Sequence, residues 1–241
     1  MLRFIRAEFM KLKGSSIVWV CLAACCILPL IGFVVNLEVS AQITWASYSA
    51  QNLWLAILLL WPCVFGLIGT YIFTRESIEN TYRNLFIIPV GRVRLAIAKL
   101  ATLLLIILAM AALSYMLNFL GLFIGIPFET ASFWDGLITY LKSGLLMFFS
   151  LLPVLSVAVI CRKGYLIAIC ATIMYAVLSF VGVWSSVLSS ILPIVTILRV
   201  IQVTSIKIEY AFPMNVSYSS MAAIGVVSVV SILWVLKKQD V

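Results

Sequence analysis

The sequence predicts an all-α integral membrane protein with six transmembrane helices and an N-terminal amphipathic interfacial helix. Of its 241 residues, 65% are hydrophobic and only 10% are charged. A soluble domain is about 45–50% apolar and about 25% charged, and a fold of this size could not bury the excess. The apolar residues form continuous runs rather than the alternation of a barrel strand, which predicts helices. These features exclude a soluble enzyme, a disordered chain and a nucleic-acid-binding domain, so no nucleic-acid partner is expected.

The first element, residues 1–14, is expected to be a basic helix that lies in the membrane interface. Apolar residues recur there at spacings of three and four, and basic residues fall largely on the rest of the helical wheel. The apolar positions are Leu2, Ile5, Phe9 and Leu12, and the basic ones are Arg3, Arg6, Lys11 and Lys13. Anionic lipid attracts such a helix. A plain anchor and a mechanical role remain equally open.

Six apolar runs follow, each long enough to cross a bilayer, which takes roughly 20 helical residues. They are Ser16–Leu37, Asn52–Phe73, Leu95–Asn118, Gly136–Ile160, Tyr165–Val183 and Ser217–Leu236. Pro29, Pro62 and Pro153 lie inside three of these spans. Neighbouring helices can satisfy the backbone groups that a proline frees, so kinks are expected there and not breaks.

The distribution of Lys and Arg predicts the orientation of the spans. With the N-terminus in the cytoplasm, thirteen of the sixteen basic residues lie on the inner side. The three on the outer side are Lys142, Arg199 and Lys207. By the positive-inside rule, we expect both termini of this multi-pass protein to lie in the cytoplasm.

The tryptophans are expected to form belts at the two membrane boundaries, where an indole ring prefers the headgroup region. Trp19 and Trp234 lie near the inner ends of their spans. Those near the outer boundary are Trp45, Trp54, Trp134 and Trp184. These residues indicate depth in the membrane and not function.

The inner loop between the second and third spans, residues 75–94, is the most informative polar segment. Steps of three and four residues place Glu76, Glu79, Asn80 and Arg83 on one face of a short helix. Pro89 then ends this element. An amphipathic helix with a mixed polar face favours a cytoplasmic protein partner over lipid alone, and a solvated linker is the alternative.

The outer segment 184–216 is too long for a simple connection, yet residues 191–203 are strongly apolar with Pro193 near their start. Irregular backbone at membrane depth is tolerated only against protein or a water-filled cavity. We expect a re-entrant or interfacial helix followed by a small outer cap that contains Arg199, Lys207 and Glu209.

Residues that carry catalysis or bind cofactors are not expected in this chain. It contains no Gly-x-x-x-x-Gly-Lys-Ser/Thr phosphate-binding loop, no histidine and no Cys-x-x-Cys pair. No span holds a charged residue near its centre, which argues against a carrier driven by protons or sodium ions. We therefore predict no catalytic residue, no bound cofactor and no metal site.

At the inner loop the sequence resembles the ATP-binding-cassette type 2 permeases, and most of all the branch that gives self-protection against bacitracin and lantibiotics. The matching residues are Phe73, Glu76, Asn80, Thr81, Leu85, Pro89, Val90, Arg92 and Lys99. The amphipathic start and the six spans suit the same family, so the resemblance covers nearly the whole chain as a single permease domain. In that family this loop holds the coupling helix, which docks in a groove of the ATPase. The resemblance implies that Glu76, Glu79, Asn80, Thr81 and Arg83 make that contact.

This resemblance also implies a function and partners. The chain would be the membrane permease subunit of an ATP-driven exporter that removes an antimicrobial peptide, free or bound to lipid, from the membrane. Separate ATPase subunits would bind ATP and Mg, and a second permease copy or a paralogue would complete the transporter. The alternatives are export of another amphipathic cargo, such as a lipid or glycan, and a non-transporting membrane scaffold.

Overall fold

The computed structural model describes residues 2–37, 43–78, 92–128, 130–161, 165–202 and 208–238, and these are helical almost throughout. In chain order the α-helices are α1 Leu2–Lys13, α2 Ser16–Val35, α3 Trp45–Leu55, α4 Trp61–Ile78, α5 Arg92–Met116, α6 Thr130–Ile160, α7 Tyr165–Gly182, α8 Ser186–Ile191, α9 Pro193–Ile201 and α10 Met214–Lys238. A π-helical segment, Ala56–Leu60, joins α3 to α4, and a 3-10 helix, Leu117–Ile124, continues α5. The predicted all-α membrane fold class is confirmed.

Five stretches of the described chain are long and apolar enough to cross a membrane. They are Ser16–Val35, Trp45–Arg75, Val93–Ile124, Ser132–Ile160 and Met214–Val235. The fifth predicted span, Tyr165–Val183, coincides with α7, whose apolar part, Leu166–Gly182, is shorter. By length and composition, the described residues therefore contain five candidate spans and one shorter apolar helix where the sequence predicts six spans.

Several helices extend beyond the apolar runs that predicted them. The second span begins at Trp45 and not at Asn52, because the Thr44 hydroxyl caps α3 by accepting a hydrogen bond from the Ser47 amide at 3.3 Å. The third span continues to Ile124 and ends at Gly125, which has a φ of 81°. The residues added to the second span are largely polar and escape a search for apolar runs, whereas those added to the third span are apolar and follow Asn118, at which the predicted span ended.

The π-helical segment lies directly before Pro62, the second residue of α4. A proline ring in a helix clashes with the carbonyl group four residues earlier. The wider turn of a π-helix moves that carbonyl group away. The second span therefore continues past Pro62 as one helical unit, which runs from Trp45 to Arg75.

Helix α6 lies at the centre of the bundle and packs against α3, α4, α5, α7, α9 and α10. Its buried face includes Met147, Leu151 and Leu155, all fully buried. Helix α4 approaches this face at Gly69, where an added Cβ would lie 2.4 Å from Leu155 Cδ2. Small residues of this kind let membrane helices approach closely.

The outer segment folds as two short helices, α8 and α9, separated by an extended residue at Leu192. Helix α9 packs against α6, α7 and α10, and Ile194, Val195 and Ile197 are fully buried. Its strongly apolar sequence is therefore explained by burial in the bundle.

The predicted tryptophan belts are only partly supported. Exposed indole rings are found at Trp19, Trp134, Trp184 and Trp234. Trp45 lies at one end of the second span, but its ring is only 1% exposed and is therefore surrounded by protein and not by lipid headgroups. It packs on Phe119 and Phe128 with ring centroids 5.4 and 5.3 Å apart, so it belongs to an internal aromatic cluster.

Candidate functional site

The roots of the predicted coupling loop lie together at one end of the bundle. Helix α4 ends at Ile78 and α5 begins at Arg92. Glu76 belongs to the last turn of α4, but its side chain lies outside the described residues. The other predicted site residues, Glu79, Asn80, Thr81 and Arg83, also lie outside them. The part of this site that the structure describes is its base.

Lys99 connects the start of α5 to the end of α4. It is 3% exposed, and its ammonium group donates a hydrogen bond to the Ile72 carbonyl at 3.2 Å. The same group lies 5.7 Å from the centroid of the Phe73 ring. A buried ammonium group must find such partners because its desolvation is costly. The second turn of α5 is therefore bound to the last turns of α4.

Arg75 connects the end of α4 to α1. Its guanidinium group donates a hydrogen bond to the carbonyl of Lys11, a residue in the last turn of α1, where carbonyl groups lack partners within the helix. The guanidinium carbon also lies 5.7 Å from the centroid of the Tyr71 ring. A cation at a helix C-terminus is favourable on electrostatic grounds as well.

Helix α1 packs along α5 with a mixed face. Glu8 is 5% exposed and accepts a hydrogen bond from Lys11 Nζ at 2.7 Å. Leu12, one turn later, is also buried. We call Glu8, Lys11, Arg75 and Lys99 the charged junction. It connects α1, α4 and α5, so a displacement of the loop roots acts on all three helices.

A second polar cluster lies within the bundle, between α3, α6 and the 3-10 helix. Asn52 Nδ2 donates a hydrogen bond to Asn118 Oδ1 at 2.8 Å, and Asn118 Nδ2 donates one to the Tyr140 hydroxyl at 3.0 Å. The Tyr140 hydroxyl donates in turn to the Ser49 carbonyl at 3.0 Å. All four residues are buried. Such groups must bond to each other because the hydrocarbon of a bilayer offers no partner.

Arg199, at the C-terminal end of α9, holds the outer segment together. Its guanidinium group donates to the Ser217 hydroxyl at 2.7 Å and to the Phe212 carbonyl at 2.9 Å. It also stacks 4.2 Å from the centroid of the Tyr210 ring. Burial raises the pKa of the Tyr210 phenol, and the positive charge of Arg199 acts in the opposite direction. Arg199, which was predicted to lie in the outer cap, therefore connects α9, α10 and the chain that joins them.

Comparisons with known proteins agree with this architecture. The family described as ABC-2 family transporter protein matches residues 4–179. This chain belongs to the ABC-2 transporter family. It is also 30% identical over 198 residues to the bacitracin transport permease protein BCRB of Bacillus licheniformis, which covers 81% of this chain and 92% of that protein. The predicted family is thereby confirmed.

Family membership defines the class of this ABC-2 permease. It is the permease subunit of a transporter, a multi-pass protein of the plasma membrane that acts with an ATPase partner subunit. The charged junction lies at the base of the loop that the sequence assigns to that partner. The described residues of this region can hold α1, α4 and α5 in position and can pass a movement of the loop to these helices. Neither task requires a catalytic group.

Sequence reasoning missed the buried position of two members of the charged junction. Lys99 falls on the same helical stripe as Ala96 and Leu103, which are buried, at steps of three and four residues. That spacing was a readable signal. For Glu8 the apolar positions of α1 gave no such signal, because Phe9, assigned to the apolar face, is 40% exposed.

Proposed function

We propose that this ABC-2 permease is the membrane subunit of an exporter that removes a peptide antibiotic of the bacitracin or lantibiotic type and thereby confers resistance. Similarity to the bacitracin transport permease along most of both chains carries this proposal. A peptide of this kind, free or bound to a lipid carrier, is amphipathic and partitions into the membrane. Spans that are almost purely apolar suit that cargo better than a small ion.

In this proposal the inner loop contacts the ATPase, which binds ATP and Mg²⁺. The contacting residues are Glu76, Glu79, Asn80, Thr81 and Arg83. The charged junction supports this role, because Lys99 joins α5 to α4 and Arg75 joins α4 to α1. Closure of the ATPase subunits then moves three helices as a unit and biases the equilibrium between two states of the spans.

The proposed topology has six spans with both termini in the cytoplasm. Helix α7 is the fifth of these spans, since 18 residues at 1.5 Å rise fall only slightly short of a bilayer core. Helix α1 lies in the inner interface, and α8 and α9 form an outer re-entrant segment. A second permease copy or a paralogue completes the transporter.

The first test is purification of the tagged permease from its own membrane in mild detergent, followed by mass spectrometry. We expect an ATP-binding-cassette ATPase at about one copy per permease. Recovery of the permease without any such ATPase, in repeated mild preparations, would instead favour a non-transporting scaffold.

The second test measures resistance in a susceptible bacterium that expresses the permease with its ATPase. We expect tolerance of bacitracin or of a lantibiotic to rise, and to be lost together with ATPase binding in the double variant Glu76→Ala/Glu79→Ala. The matched control Glu129→Ala/Asp135→Ala removes two acidic residues from the predicted outer side and should keep both properties.

The outcomes of these two experiments test the cargo and the contact with the ATPase separately. ATPase binding without tolerance of any peptide antibiotic would indicate another amphipathic cargo, such as a lipid or a glycan. Unchanged ATPase binding in the Glu76/Glu79 variant would contradict the coupling assignment while leaving the cargo proposal intact.

A further inference from the structure

A groove opens between α1, the first turns of α2 and one side of α5. Its volume is about 390 Å³, and seven of its eight lining side chains are apolar. Phe9 and Met10 come from α1, Trp19 and Leu22 from α2, and Ile106 from α5. A groove this apolar in a membrane protein suits a hydrocarbon chain better than a water-soluble ligand.

A buried side chain forms the bottom of this groove, whereas the side chains along its edges are exposed. Ile106 is 8% exposed, but Met10 and Trp19 are 62% and 70% exposed. The chain turns between α1 and α2 at Gly14, after which the Ser15 amide donates to the Leu12 carbonyl at 2.9 Å. The groove lies beside this turn, and its exposed side chains leave it open on the protein surface.

The remaining lining side chain, Arg6, gives the groove a positive end. Arg6 is exposed. The carboxylate on the same helix, Glu8, is bound to Lys11 at 2.7 Å instead of to Arg6. A guanidinium group is well suited to phosphate, because its N–H groups can donate two parallel hydrogen bonds to phosphate oxygens. A positive group at the end of an apolar groove is complementary to an amphiphile with an anionic head.

We propose that the groove binds one acyl chain of an anionic phospholipid, with the lipid phosphate on Arg6. The surrounding inner leaflet supplies this ligand, provided that α1 lies on the cytoplasmic side as proposed above. The bound lipid would join α1 to α2 and α5. The site does not depend on which cargo the transporter carries.

Native mass spectrometry of the delipidated full chain tests this site. The chain in mild detergent is offered equal amounts of phosphatidylglycerol and phosphatidylcholine. We expect one phosphatidylglycerol to be retained per chain, in preference to phosphatidylcholine. Arg6→Gln should lower retention of phosphatidylglycerol about tenfold, since it removes charge-assisted hydrogen bonds.

Arg94→Gln is the matched control, because Arg94 is an exposed arginine outside the groove and its loss changes the net charge equally. Retention should be unchanged in this variant. Equal losses in the two variants would show general charge attraction and overturn the site. Equal retention of the two lipids by the native chain would overturn it as well.

Fluorescence tests the position of the acyl chain. The emission of Trp19 is obtained as the difference between the native chain and Trp19→Phe, both in bilayers. Phosphatidylglycerol with brominated acyl chains should quench this emission more than brominated phosphatidylcholine at the same mole fraction, and Arg6→Gln should abolish the difference. Equal quenching by the two lipids in the native chain would place ordinary bilayer lipid at Trp19 and contradict the proposal.

Discussion

Asn118 is the residue on which the buried polar cluster depends. Its side chain accepts a hydrogen bond from Asn52 and donates one to Tyr140. Asn118→Leu removes both of these hydrogen bonds, and the Tyr140 hydroxyl then keeps only its bond to the Ser49 carbonyl. We expect a loss of about 1–3 kcal/mol in the free energy of unfolding, measured as a lower thermal unfolding midpoint in detergent.

Asn215→Leu is the control for this prediction, because Asn215 is exposed at the start of α10. Its unfolding midpoint should stay close to that of the native chain. If Asn118→Leu is equally harmless, the cluster contributes nothing to stability. A double-mutant cycle of Asn52 and Asn118 should give a coupling energy of about 0.6 kcal/mol, the typical value for hydrogen bonds between membrane helices.

Gly32 lets α2 lie against this cluster. A Cβ at this position would lie 2.0 Å from Asn52 Oδ1, and Asn52 cannot swing aside without losing its bond to Asn118. We expect Gly32→Ala to destabilise the protein by about 1–3 kcal/mol. Gly225→Ala, whose nearest neighbour would be 3.8 Å away, should be neutral or stabilising in the same thermal assay. Equal midpoints would mean that α2 moves aside freely.

For single residues, the sequence predicts depth in the membrane better than it predicts burial within the helix bundle. Trp45 was expected at the outer boundary, yet its ring is packed inside the protein. Lys99 was counted among the inner basic residues and among those that match the family, and neither assignment predicts that it is buried against α4. Composition and charge along a helix report its position across a bilayer, whereas the face that a residue occupies depends on the neighbouring helices.

Among the elements, the outer segment depends on Arg199. Arg199→Met keeps the length of the side chain but removes its hydrogen bonds to Ser217 and Phe212. Losing about 1.4 kcal/mol raises an opening equilibrium tenfold. We therefore expect amide hydrogens of residues 208–217 to exchange about tenfold faster, measured by hydrogen–deuterium exchange and mass spectrometry.

Lys142→Met provides the comparison, since Lys142 is an exposed basic residue of α6 that is also predicted to lie on the outer side. It should leave exchange in residues 208–217 unchanged. Faster exchange in both variants would indicate a general effect of charge, and unchanged exchange in Arg199→Met would show that α9 is held by its buried apolar face alone.

The elements themselves could largely be predicted, and their ends could not. Apolar runs predict where α2, α5 and α10 lie because burial in lipid requires them. The start of α3 at Trp45 depends on a cap at Thr44, and α8, with three serines among its six residues, precedes the apolar run that predicted α9. Local hydrogen bonds and tertiary packing decide such boundaries. The predicted contact residues from Glu79 to Arg83 lie outside the described residues and stay a prediction.

For the whole molecule, topology is the property most open to test. If α7 crosses the membrane, alkaline phosphatase fused after Gly164 should be inactive, and phosphatase fused after Ser185 should be active, because the enzyme requires the oxidising outer side. A fluorescent protein fused after Val241 should be bright. Inactive phosphatase at Ser185 would mean five spans and would place the C-terminus outside.

The sequence predicts a membrane protein correctly because this property depends on the composition of the whole chain. A chain that is 65% hydrophobic has no soluble fold available. The central position of α6 was not predictable, since it depends on contacts with six other helices. One sequence shows which segments are apolar, but it does not show which of them are surrounded by others.

The wide turn at Ala56–Leu60 has a consequence for insertions and deletions. A π-helical turn holds one more residue than an α-helical turn of the same height. Removing Leu59, an exposed residue of this segment, would restore a regular turn while keeping Trp45 and Phe65 in their rotational register. A deletion of one residue elsewhere in the second span would turn every later side chain by about 100°. A chain shorter by one residue therefore keeps the register of the second span at this turn alone, where a regular α-helical turn also returns the clash between the Pro62 ring and the carbonyl group four residues earlier.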